Sequence, residues 1–490
     1  MRSTQFPTRN VFGIRFVLKM TSLPLLLALI SAALLLPALA HATSPAANIR
    51  AIDVGSMGDG PASDALRRHI VDRLNKQAHL RVAATPSEAD ATLRGSSSIW
   101  ATGTFAVNPR SKSYHVTNFH GYLSVELVDK AGQTLWSYLV TPSRFRASSI
   151  TDDLADQAVA RLLDAVANVA AGTPPSVPSG PATHAQLHAA GSTLAAPLYM
   201  KWFESAGIPV AYDAIGSEAG IEQLSDGKID FAASDLPPTE DASFAHLQAI
   251  PTVAGGVVPI YNLPGMDGDL RVSPEILAGI YSGAISKWND PRIRAINHGV
   301  HLPDNNIAVV HRSDGSGTTF VWTSYLSEAS PGWKESVGAG PHVQWPVGTG
   351  AAGNDGVAEK VQKTPYSIGY VELIFAIHHQ LNFALVQNPS GQFIKADLGS
   401  ITVAAADASD IGQPFRFSIL NSQKKDAYPI STFTWLLVPT QGLNAQKKAA
   451  MVELLKWALT TGQKQCASLG YVPLPSSVAA KALGAVAAMK

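Results

Sequence analysis

The chain has 490 residues, 46% hydrophobic and 15% charged, with no net formal charge; this is a globular composition that leaves little room for disordered tails and is long enough for two or three domains. Without its first 42 residues, which hold four bases and no acid, the chain carries a net charge of −4, and so does not read as a nucleic-acid binder. The single cysteine, Cys466, rules out an internal disulfide, and no HExxH, paired CxxC or EF-hand pattern is present, so neither metal nor cofactor is expected.

In chain order, Arg2, Arg9, Arg15 and Lys19 precede an apolar run from Leu23 to Leu36 and small residues ending at Ala40 and Ala42. This is the pattern of a secretory signal peptide over residues 1–42, pointing to a periplasmic protein. The length of the apolar run leaves an uncleaved membrane anchor as the alternative. Residues 46–172 are expected to form a small α/β domain. It opens with a strand near Ile49–Val54 and a helix over about Ala62–Gln77, where Leu66, Ile70 and Leu74 recur at helical spacing. Strands over Thr92–Phe105, Tyr114–Leu127 and Thr134–Val140 follow. A last helix over Asp152–Ala170 aligns Leu154, Val159, Leu162 and Val166. No constellation in this domain carries chemistry, and a spacing or docking role is the expectation. Pro and Ser dominate Thr173–Pro181, which marks 173–183 as a linker.

Beyond the linker, short apolar runs alternate with helical segments, as in open α/β sheets that bind ligands at the carboxyl ends of their strands. Three loops there place glycine and hydroxyl residues where a helix begins: Gly191-Ser-Thr193, Gly216-Ser217 and Asp314-Gly-Ser-Gly-Thr318. Each can offer backbone N–H and hydroxyl donors to an anion with the helix dipole behind them, although any one alone is equally an ordinary N-cap. Arg312 precedes the third loop, and its planar fork suits a tetrahedral oxyanion. It is also placed to pair with Asp314, which would orient it. Asp235 ends an apolar run before Pro237-Pro238. An ionised carboxylate only accepts hydrogen bonds, so beside an anion it would favour a protonated one, such as phosphate, over sulfate.

Ala190–Trp202, Ile215–Ser217, Asp230–Asp235, Pro251–Val258, Arg312–Thr318, Trp345–Gly356 and Ile368–Glu372 closely resemble, in order over about residues 184–490, the periplasmic phosphate-binding proteins of high-affinity phosphate ABC transporters. The resemblance implies a non-enzymatic, monomeric protein that captures inorganic phosphate and delivers it to a membrane permease. It implies two α/β lobes of the type II binding-protein fold that close by hinge motion. The crossing strands would lie near Pro251–Val258 and Tyr428–Thr434, with lobe one over about 184–255 and 430–490 and lobe two over 256–429. By the same likeness Thr193 and Leu194 would supply backbone N–H groups and Thr193 and Ser217 hydroxyls. Asp235 would accept the ligand proton and Arg312 supply charge, with Ser316, Gly317 and Thr318 adding donors. Leu194 stands where the family often has phenylalanine, and Glu218 where it has a small residue.

Three rival readings are open to test. Gly348-Thr-Gly-Ala-Ala-Gly353, with Glu372 about twenty residues on, fits a dinucleotide-binding fingerprint. Ser316 as a hydrolase nucleophile lacks the GxSxG elbow. Alternatively, phosphate occupancy would be sensed, or an envelope assembly served, through residues 46–172.

Overall fold

The computed structural model describes residues 49–77, 80–106, 115–132, 134–140, 142, 149–168, 185–239, 244, 246–266, 268–408 and 415–489. The expected signal peptide and the linker lie outside the described residues. Among the described residues, no helix is long and apolar enough to cross a membrane.

The first described unit of structure is a five-stranded sheet. Strand Ala51–Val54 runs parallel to Arg81–Val82 and Ala91–Ala106, and His115–Asp129 and Thr134–Val140 complete the sheet in antiparallel register. Helices Pro61–Leu74 and Ile150–Asn168 bury Leu66, Ile70, Leu154 and Leu162 against Leu123, Val125 and Leu127, residues that alternate along their strand as a one-sided sheet requires. Ser124 falls between two of these and so points to the opposite face. Its hydroxyl donates to the Ser468 carbonyl (2.7 Å), and the Ser137 hydroxyl donates to the Lys464 carbonyl while accepting from the Ser468 N–H (3.1 Å). The small sheet thus docks on the segment Lys464–Leu469. It also reaches further along the chain, because the Tyr122 ring stands 6.3 Å from that of His378 and Gln380 donates to the Ser98 hydroxyl (3.3 Å).

The larger sheet has two lobes. Its strand order is Thr349–Ala351, Ala308–Arg312, Ser367–Glu372, Leu247–Asn262, Ser431–Pro439, Phe231–Ser234, Leu187–Gly191 and Val210–Asp213, with Asn382–Phe383 also pairing to Leu247–Asn262. The three strands at either end of this order are mutually parallel, while the two central strands are antiparallel to each other and to their outer neighbours. Leu247–Asn262 and Ser431–Pro439 are therefore the crossing strands of the two-lobed α/β fold. Both are almost wholly buried, which is why they read as continuous apolar runs rather than alternating ones. The second crossing strand begins three residues later than its expected start at Tyr428. Pro429 has no N–H to give a ladder, and Tyr428 lies outside the strand, its hydroxyl donating to the Val257 carbonyl (2.8 Å).

The register between the crossing strands shifts at Thr434/Trp435, opposite Pro251 and Thr252. Pro251 cannot donate to the ladder, and the bulge accommodates it. Thr252 fills the gap by donating its hydroxyl to the Thr434 carbonyl (2.9 Å). Helix Ser217–Ser225 approaches strand Leu187–Gly191 closely at Gly220, where an added Cβ would sit 2.5 Å from the Gly191 Cα and 2.8 Å from the Ala190 carbonyl oxygen. Overpacking backbone against backbone should make Gly220→Ala destabilising by about 1–3 kcal/mol in urea unfolding. Gly484→Ala, in helix Ser476–Ala487 with open space around it, should be stabilising by up to about 1 kcal/mol.

Candidate functional site

The three glycine-hydroxyl loops sit at the carboxyl ends of parallel strands, and the fold brings them together. Gly191 ends its strand at φ 135°, and Ala196–Ala206 begins five residues later; Gly216, at φ 99°, caps Ser217–Ser225; Ser316 caps Gly317–Ala329 through a bond to the Thr319 N–H (3.2 Å). Contact between the lobes is close. A Cβ on Gly317 would lie 2.5 Å from both the Asp235 Cβ and the Ser217 Oγ, and one on Gly216 would lie 2.5 Å from the Gly315 carbonyl oxygen. Both glycines are thus required by approach, and Gly216 by its positive φ as well.

Asp235 lies at the centre, 1% exposed. The Ser192 hydroxyl is 2.8 Å from both carboxylate oxygens, the Thr434 hydroxyl donates to Oδ1 (2.6 Å), and the Ser217 hydroxyl approaches Oδ2 (3.3 Å). Burial pushes the Asp235 carboxyl up to about 6, against the pull of the Thr434, Ser192 and Ser217 hydroxyls and the Arg312 charge.

Arg312 is also buried, and Nε and Nη2 pair with the two oxygens of Asp314. Asp314 in turn accepts from the Gly353 N–H (3.0 Å). Burial works to raise the Asp314 carboxyl, but the guanidinium and that N–H outweigh it and hold it below the usual range. The Arg312 N–H is anchored on the Tyr370 hydroxyl (3.2 Å), which is itself bonded to Thr319 (2.7 Å). One fork nitrogen, Nη1, is buried with no partner. A buried charged donor left unpaired is costly.

Further donors are free around it. The N–H groups of Thr193 and Leu194 meet no acceptor among the described residues. Those of Gly317 and Thr318 lie in the first turn of their helix, where no intrahelical acceptor exists. Leu194 is fully buried, with its carbonyl held by the Tyr471 hydroxyl (2.7 Å); a leucine therefore still positions the backbone donor. Ser316 and Thr318 are buried as well. Glu218 is exposed and spans the mouth of the cleft: a Cβ on Gly315, in the facing lobe, would fall 1.8 Å from its Oε2.

The structure thus gathers every residue singled out from sequence: Thr193, Leu194, Ser217, Asp235, Arg312, Ser316, Gly317, Thr318 and the supporting Asp314. Ser217 differs from its expected role in one respect, for its hydroxyl is engaged with Asp235 and its oxygen also accepts the Asp235 N–H (3.2 Å). Sequence reasoning gave no site role to Thr434 or Asn354, placed Ser192 only in the first glycine-hydroxyl loop as an anion donor, and weighed Glu372 only as the acid of the dinucleotide fingerprint. Asn354 donates to the Thr193 hydroxyl (2.9 Å) across the cleft and to that of Thr318 (3.3 Å), and the Glu372 N–H donates to its carbonyl (3.0 Å). The Glu372 carboxyl caps helix Leu373–His378 through the Ile374 N–H (2.7 Å), and burial raises it well above the usual range.

The glycine fingerprint at 348–353 does form a strand–helix turn, but its Gly353 N–H is spent on Asp314. No base hydrogen-bonds Ser316 among the described residues. Nor do those residues contain a cluster of three or more His, Cys, Asp or Glu able to hold a metal ion. Burial pushes the Cys466 thiol up, away from nucleophilic use.

Residues 176–461 match the family of PBP superfamily domains. The chain is 40% identical over 313 residues to the phosphate-binding protein PstS of Xylella fastidiosa strain Temecula1, covering 62% of this chain and 85% of that one. It is 42% identical over 307 residues to the phosphate-binding protein PstS of Pasteurella multocida strain Pm70, covering 61% and 89%. Among solved structures, a phosphate-binding protein from Stenotrophomonas maltophilia aligns with a TM-score of 0.48 at 18% identity, over 61% of this chain and 93% of that one.

The raised carboxyl makes a prediction for the ligand-free protein. Folding lifts Asp235 from its ordinary value of 3.8 to about 6, so the folded state holds this proton more tightly than the unfolded chain. That stabilisation is complete below the ordinary value and is lost as pH rises through about 6. Comparing urea unfolding of wild type with Asp235→Asn, which cannot ionise, should show wild type losing on the order of 3 kcal/mol relative to the variant between about pH 4 and 7.5.

Proposed function

Since the chain belongs to the phosphate-binding proteins of the PBP superfamily, we propose that its cleft captures one inorganic phosphate ion, held between Arg312, Asp235 and the three helix N-termini. The family is one of binding proteins, not enzymes. The observation that carries the reading is the pairing at the cleft floor of an unpartnered guanidinium nitrogen with a buried carboxylate whose acceptor positions are only partly filled. A carboxylate offers about four acceptor directions; Ser192, Ser217 and Thr434 occupy three, and a ligand hydroxyl suits the fourth.

Phosphate near neutral pH keeps a proton to give to Asp235, whereas sulfate has none and would set an oxygen against the carboxylate. Arg312 is already paired with Asp314, so much of the balance for a dianion falls on oriented N–H dipoles. Thr193 and Leu194 supply two N–H groups and Gly317 and Thr318 two more. The hydroxyls of Thr193, Ser316 and Thr318 complete the donor set.

The larger role that fits this site is that of an exported solute-binding protein. It would work in the periplasm after signal-peptide removal and deliver phosphate as a monomer to the permease of an ABC transporter. In this reading residues 46–172 form a separate accessory domain, joined by the linker 173–183 to the phosphate-binding domain 184–490. A second reading is favoured by one observation: the accessory sheet touches chain segments of both lobes, Lys464–Leu469 and His378–Gln380, and so could report occupancy to an envelope partner. If it does, phosphate should change hydrogen exchange in strand Thr134–Val140, whereas a simple spacer would show no change there.

Calorimetric titration tests the binding claim itself. Wild type should bind phosphate one to one and discriminate against sulfate by roughly 10⁴- to 10⁵-fold. Arg312→Ala should abolish binding, and Asp235→Asn, whose amide can donate, should narrow the preference by admitting sulfate.

A further inference from the structure

We propose that Asn354 is a positioning residue for ligand capture: one amide sets the direction of two threonine hydroxyls and ties the lobes shut behind the ion. The proposal rests on the phosphate reading of the cleft. Asn354 is fully buried in the first turn of helix Gly353–Lys363, a place where an asparagine side chain must be hydrogen-bonded to be tolerated. The Glu372 N–H donates to its Oδ1 (3.0 Å), which fixes which end of the amide is which. The NH2 end is therefore the one facing Thr193 Oγ1 (2.9 Å) and Thr318 Oγ1 (3.3 Å). Thr193 belongs to lobe one and Thr318 to lobe two, so a single side chain bridges the cleft.

The chemistry follows from the donor inventory. A threonine hydroxyl has one proton and two lone pairs. With a lone pair taken by Asn354, each proton must point away from the amide, and neither hydroxyl donates to any acceptor among the described residues. Both protons are therefore presented as donors to an anion rather than as lone pairs facing it. An acceptor at position 354 would turn the protons the other way. The tie to Thr193 exists only when the lobes are together, so it should act on escape of the ion and not on its arrival. This ranks Asn354 apart from Asp314, which orients Arg312 within one lobe.

The test is a double-mutant cycle on the full chain, read as release of radiolabelled inorganic phosphate into excess unlabelled phosphate. Asn354→Ala should raise the dissociation rate about 10- to 100-fold with the association rate nearly unchanged. In a Thr193→Val, Thr318→Val background, where no hydroxyl is left to orient, the same substitution should change it less than about twofold. Asn354→Asp serves as the second variant should the alanine chain fold poorly, because the cycle cancels its added charge. An equal multiplication of the rate in both backgrounds would mark Asn354 as a mere packing residue and overturn the proposal. Failure of the wild type to bind phosphate at all would instead overturn the phosphate reading, and this proposal with it.

Discussion

A carboxylate buried beside a half-paired guanidinium is the arrangement on which the rest of this structure depends. Asp235 and Arg312 each sit where an ionised group would be costly unless hydrogen-bonded. Three hydroxyls surround the first and one carboxylate grips two nitrogens of the second. Neither set is complete: Arg312 Nη1 has no partner, and Asp235 is held up at about 6 by burial that its hydroxyls only partly offset. The unsatisfied remainder suits the proposed ligand, an anion that would bring negative oxygen to one side and a proton to the other.

The fold supplies the means of assembling this pair from distant parts of the chain. The parallel strands of the two lobes run in opposite senses and end at the cleft, so the helix starts after Gly191 and Gly216 face the one after Ser316, and the two crossing strands hold the lobes in register while leaving a cleft between them. The bulge opposite Pro251 accompanies the placement of Thr434 over Asp235. Close backbone approach at Gly191, Gly216, Gly220 and Gly317 lets dipoles act at short range, which matters because Arg312 is already neutralised by Asp314. Glu218 adds a carboxylate at the rim, where exposure and solvent screening limit its effect on the ion.

Much of this was legible in the sequence because the relevant signals are local. Leu66, Ile70 and Leu74 announce their helix by spacing, Thr134–Val140 is bounded by turn residues, and the glycine-hydroxyl loops name their own helix starts. Arg312 and Asp314 lie two residues apart, so their pairing could be anticipated. The parts that were not legible depend on pairings far apart in sequence. Thr434 meets Asp235 across 199 residues and Asn354 meets Thr193 across 161, and no local pattern carries either contact. The docking of the five-stranded sheet is the extreme case: it uses Ser124 and Ser137, ordinary solvent-face serines by pattern, on carbonyls 344 and 327 residues away. The late start of the second crossing strand reflects Pro429, which apolar content alone does not reveal.

The most direct test of the account is a high-resolution crystal structure of the phosphate complex at neutral pH. The account predicts one phosphate oxygen within about 2.5–2.7 Å of an Asp235 oxygen, the short contact of a hydroxyl donating to a carboxylate, with a second oxygen on Arg312 Nη1. Phosphate bound elsewhere, or in the cleft with every oxygen beyond hydrogen-bond reach of Asp235, would contradict it.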